Sequence, residues 1–176
     1  MKNQEVYFRK NIRIISIFII FPIFFFLIVN PIFAQSLKNI KIGEKYSGPR
    51  NIETTVGGYE GKLTIITLKD ETVSKLYFLS NEKVEDRSDI QLHHIKADRL
   101  LENISSNYNL IFNRTMWKHN ENLTGNWHDI AYSEKEGIDY MLSSKISLMD
   151  QKSEITFILT SIELIDKGRK ENDVDF

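Results

Sequence analysis

The first 34 residues decide how much chain is left to fold. Lys2, Arg9, Lys10 and Arg13 precede an apolar run from Ile14 to Val29, interrupted only by Ser16 and Pro22. Asn30 and Pro31 break that run, and Ile32-Phe33-Ala34-Gln35 follows. A charged head, an apolar middle and a small residue at the end make up a secretory signal peptide. Cleavage is therefore expected between Ala34 and Gln35. The competing reading is an uncleaved anchor in an inner membrane over residues 14–33. The 16-residue run is short of the roughly 20 residues that span a bilayer. Pro31 ends the helix before Ala34 and favours cleavage, whereas Ile32 stands where a small residue is preferred.

The chain has no cysteine. It forms no disulfide and takes no lipid through a thiol. An exported domain of this kind folds on its apolar core alone, as bacterial periplasmic and secreted proteins do. Asn103, Asn113 and Asn122 each open an Asn-x-Ser/Thr triplet. A chain this rich in Asn, Ser and Thr generates such triplets by chance.

Removing residues 1–34 leaves 142 residues, a normal single-domain length. The removed segment holds four positive charges and Glu5, so the net charge of −1 becomes −4 for residues 35–176. A mildly acidic domain without a basic run does not suit nucleic-acid binding. Contact with a membrane is expected only through the N-terminal segment, if it stays attached.

Residues 37–42 alternate weakly and read as a short strand, and Gly43–Thr55 as a loop. Lys62–Leu68 and Thr72–Leu79 are rich in Leu, Ile, Val and Thr around a Lys69–Glu71 turn, the pattern of a β-hairpin. Residues 80–88 read as a polar loop. Ser88 and Gln91 have the spacing of a capping box. After them Ile90, Ala97, Leu101, Ile104 and Tyr108 fall on one helical face, with Leu100 beside them. This predicts an amphipathic helix to about Asn107. Four strand-like segments follow: Leu110–Lys118, Trp127–Tyr132, Ile138–Leu148 and Glu154–Ile165. The last carries apolar residues on both faces, which suits a central strand. Residues 166–176 read as a polar tail after a domain of residues 35–165. The pattern predicts an α+β two-layer sandwich. Its antiparallel sheet has about five to six strands, with one main amphipathic helix on one face.

Gly57-Gly58-Tyr59, Leu100-Leu101 with Tyr108, Trp127 and Ile155–Leu164 occur in the order of a recurring layout. Through them the chain resembles small exported bacterial α+β proteins of unknown function, and two-layer modules that act as envelope-assembly accessories or protein inhibitors. The resemblance covers most of residues 40–165. It implies a fold and carries no catalytic residue.

Chemistry is sparse. His93 and His94 sit at the borders of the helix's apolar face. His94 and Asp98 are spaced i, i+4, yet without a His-Glu-x-x-His pattern or a cysteine they specify no metal. His128 and Asp129 are neighbours on a strand and point to opposite faces, so they do not form a catalytic pair. No nucleophile elbow and no Ser-x-x-Lys occurs. The Gly57–Gly61 stretch lacks the Lys-Ser/Thr of a phosphate loop. Glu134, Glu136 and Asp139 cluster at a turn, where carboxylates are ordinarily just solvated. No cofactor or metal is expected. The candidate recognition patch is Trp117, Lys118, His119, Trp127, His128 and Tyr132. It rests on pairing residues 114–119 with 126–131, so that Lys118 faces Trp127 and Trp117 faces His128. Either tryptophan has core filling as its alternative role.

The expectation is an exported, non-enzymatic binding protein with a protein partner, of inhibitor, immunity or envelope-accessory type. Two alternatives stand beside it. One is a small-molecule binder or hydrolase with a pocket between helix and sheet and His93 or His94 at its mouth. The other is a structural protein anchored by its N-terminus.

Overall fold

A computed structural model of the protein describes residues 36–120 and 125–173. The expected signal segment, its expected cleavage point at Ala34–Gln35 and the last three residues lie outside the described residues.

Among the described residues the fold is α+β: a seven-stranded antiparallel sheet, a separate two-stranded sheet and two helices. The small sheet pairs β1 (Ser36–Leu37) with β2 (Ile40–Lys41). Lys38 and Asn39 turn between them with φ of 55° and 65°, the conformation that a tight two-residue hairpin demands. One short strand was expected here, and the turn folds it into two.

In the large sheet the order is β3-β4-β5-β9-β8-β7-β6. Its strands are β3 (Asn51–Val56), β4 (Tyr59–Thr67), β5 (Val73–Lys83), β6 (Asn113–Met116), β7 (Asn126–Lys135), β8 (Ile138–Ser147) and β9 (Lys152–Ser161). The β9 strand lies in the middle, between β5 and β8. Its apolar side chains on both faces suit that position. Two expectations are corrected at the edges. Residues 51–56 form an edge strand rather than a loop, and β5 runs on to Lys83 instead of stopping at Leu79.

Helix α1 (Arg87–Tyr108) buries Ile90, His93, Ala97, Leu100, Leu101 and Ile104. It begins two residues earlier than the sequence suggests. Asp86 is the N-cap, and its carboxylate accepts from the backbone N–H of Ser88 and Asp89 while Asp89 reaches back. A carboxylate there also meets the positive end of the helix dipole. Asn109 ends the helix in the left-handed conformation.

The helix comes so close to the β3–β4 turn that a Cβ on Gly57 would collide with Leu100 Cδ1. Gly57 has φ of 58° besides, so glycine answers both demands. Leu63, Leu76, Phe78, Leu142, Phe157 and Leu159 form the sheet's side of the core, all fully buried. Helix α2 (Ile162–Asp173) follows β9 directly, where a polar tail was expected. Its Leu164 packs against the main core.

Candidate functional site

Strand alternation divides β7 between two faces. Trp127, Asp129 and Ala131 are buried on the face toward α1, while His128 and Tyr132 are exposed on the other. The ladder from β6 holds Asn113 opposite Tyr132, then slips by one so that Met116 lies opposite Ile130. It ends there. Trp117, Lys118 and His119 leave the strand in a turn, so the expected pairs of Lys118 with Trp127 and Trp117 with His128 do not form.

Asp129 builds that turn. Its Oδ1 accepts from the backbone N–H of Lys118 at 2.9 Å and of His119 at 2.6 Å. Its Oδ2 meets His119 Nδ1 at 2.9 Å. His119 itself adopts a left-handed φ of 50°. The turn brings its ring onto α1, where Nε2 lies 3.0 Å from Asp98 Oδ1. Trp117 Nε1–H donates to the same Asp98 oxygen at 2.7 Å. His94, one turn before Asp98, places its ring centroid 4.2 Å from that of His119 and 6.1 Å from that of Trp127. His94, His119 and Asp129 each offer one ligating atom within 4.8 Å of the other two.

Electrostatics separates the imidazoles. Burial alone would lower His119, but its hydrogen bonds to Asp129 and Asp98 overcome this and hold it above the ordinary value. His94 is lowered by burial and then by the positive charge of His119. Burial also lowers His93, to about 4. His93 is only 2% exposed and lies 3.0 Å from Ser144 Oγ. It is a core residue, not the mouth of a pocket. The His93–Ser144 contact has no opening for a substrate, because Ser144 is fully buried.

The six expected patch residues therefore do not share one surface. Trp117, His119 and Trp127 belong to the helix side, and Lys118 is exposed on the turn. Trp127 joins Val84, Ile90 and Ile146 in a second small core cluster. His128 lines a shallow hollow of about 330 Å³ with Lys145 and Glu154. Tyr132 lines a larger groove of about 640 Å³ on the opposite face of the sheet from α1. Its lining residues Ile158, Met141 and Tyr132 follow one another in register across β9, β8 and β7, and Tyr77 on β5 continues the row beyond the groove. Glu134 and Asp139 face each other across the β7–β8 hairpin at the groove's end.

Sequence patterning placed Asp98 beside His94 and set Asp129 aside as no partner for His128, but it missed that both carboxylates meet His119. The signal for Asp98 was its i, i+4 spacing from His94. For Asp129 it was a carboxylate on the same strand face as Trp127 and Ala131, both buried.

No protein-family model, no curated protein and no solved structure matches the chain.

Proposed function

We propose that the protein is an exported, non-enzymatic binding module that holds another protein against the open face of its sheet. We read the fold as two layers, with α1 the main covering helix on one face and the other face left for a partner. The observation that carries this reading is the cross-strand row Tyr77, Ile158, Met141 and Tyr132. An ordered apolar row on a rigid sheet offers contact area at low entropic cost. Tyr132 is 46% exposed, and Ile111 at the groove's rim is 93% exposed. Lys75, Glu134 and Asp139 give the groove a charged border, which suits the polar rim of a protein interface. An inhibitor or envelope-accessory role, as the resemblance implies, is one concrete form of this activity.

The test is affinity capture from envelope and culture-medium fractions, with the wild type and a Tyr132→Ala, Met141→Ala double variant side by side. One stoichiometric partner is expected on the wild type. Loss of two central contacts of about 2 kcal/mol each weakens binding by a factor of several hundred or more. The variant's unfolding free energy should change far less than its affinity. Equal capture by both proteins, or no partner on the wild type, overturns the reading.

A further inference from the structure

We propose that His94, His119 and Asp129 form a binding site for a divalent transition-metal ion, zinc first among them, with Asp98 and Trp117 as its outer support. This goes beyond the sheet-face reading and stands on the opposite side of the sheet. Three separate parts of the chain converge here: α1 supplies His94, the turn after β6 supplies His119, and β7 supplies Asp129.

Two imidazoles and one carboxylate are the donor set of open zinc sites and of related non-haem metal sites. Magnesium and calcium prefer oxygen-only surroundings and are poorly served by it. The three ligating atoms lie within 4.8 Å of one another. An ion about 2.1 Å from each would hold them roughly 3.4 Å apart, a closure of no more than about 1.4 Å. His119 Nδ1 and Asp129 Oδ2 already stand 2.9 Å apart.

The outer contacts are those a metal-binding histidine needs. Ligation through His119 Nδ1 leaves Nε2–H to donate to Asp98, 3.0 Å away. Such a carboxylate fixes the ring and makes it more basic toward the ion. Asp98 is itself held by the Trp117 indole. On the other ligand, the backbone N–H groups of Lys118 and His119 fix Asp129 Oδ1 and leave Oδ2 for the ion. Ring contacts with Trp117 and Trp127 shield the cluster and strengthen its electrostatics. An independent sign comes from His94. Its Nδ1 is buried without a hydrogen-bond partner, and an unused buried polar atom is costly unless something satisfies it.

The test uses purified, EDTA-treated protein titrated with ZnCl2, with MgCl2 as the comparison, and read by calorimetry and thermal unfolding. One zinc ion per chain is expected, with a melting temperature that rises with zinc concentration and no such response to magnesium. His94→Phe keeps a ring against Trp127 and removes the ligand, so saturable binding should disappear while the protein stays folded. Asp98→Asn should weaken binding about 10- to 100-fold. His128→Ala, on the other face, should bind as the wild type does. CoCl2 gives a readout of coordination itself: strong visible bands of a four-coordinate ion are expected, and are lost in His94→Phe. The proposal is overturned if zinc does not saturate the wild type, if His94→Phe binds zinc equally well, or if the bound cobalt spectrum stays that of the hydrated ion.

Discussion

Asp129 and the two tryptophans show how much one side chain can settle. Asp129 accepts from two backbone amides and an imidazole while 2% exposed. A buried carboxylate is tolerated only when its oxygens are satisfied in this way. The tryptophans divide the two roles that their sequence positions left open. Trp127 is 8% exposed and wedged among Val84, Ile90 and Ile146. Trp117 is half-buried, and its main polar contact is the bond to Asp98. Trp127→Ala therefore costs about 3–5 kcal/mol of unfolding free energy. Trp117→Phe, which keeps the packing and deletes one hydrogen bond to a charged group, costs about 1–2 kcal/mol. Urea unfolding of the two variants measures both. Equal losses would mean that Trp127 is not the better-packed ring.

At the scale of the element, the cap of α1 separates two assignments that look alike in sequence. Ser88 with Gln91 reads as a capping box, but Asp86 with Asp89 makes the bonds. Asp86→Ala should lower stability by about 1–2 kcal/mol. Ser88→Ala should change it by no more than about 0.5 kcal/mol, since the Ser88 hydroxyl only bonds the Asp86 carboxylate. Chemical denaturation that ranks the two the other way would return the cap to Ser88. The elements that sequence did reveal, α1 and the strands β4, β5, β8 and β9, each bury a periodic face large enough to leave a signal. Those it missed bury little. Strand β3 is an edge strand that buries Val56 alone, and α2 adds only a half-buried Leu164 to the core. The site was legible in halves. His94 with Asp98 followed from helical spacing, and the separation of His128 from Asp129 followed from strand alternation. Their meeting with His119 did not, because it depends on a non-glycine residue taking a left-handed φ where the β6 ladder stops.

Across the whole molecule, three tyrosines tie the core together and set its tolerance of alkali. Tyr59 lies under α1 and donates to the backbone oxygen of His93 at 3.2 Å. Tyr108, near the end of α1, donates to the Ser36 backbone oxygen in the small sheet at 2.6 Å. Its ring stands 5.9 Å from that of Tyr140 on β8. Burial raises all three hydroxyls: Tyr108 to about 12, with Tyr59 and Tyr140 higher still. The unfolded chain ionises near 10. Each raised group therefore contributes its full stability below pH 10. Above that the unfolded state sheds protons that the folded state keeps, and stability falls until the folded groups ionise too. The loss approaches about 1.4 kcal/mol per pH unit for each tyrosine, so the three together steepen alkaline unfolding between pH 10 and 12. Tyr108→Phe should remove about a third of that slope, at the cost of its bond to Ser36. Unfolding free energies against pH, recorded with phenolate absorbance, make the comparison. The absorbance of these three groups should rise only as the protein unfolds. If they ionise near pH 10 while the folded signal is unchanged, water reaches the hydroxyls and the core does not exclude it.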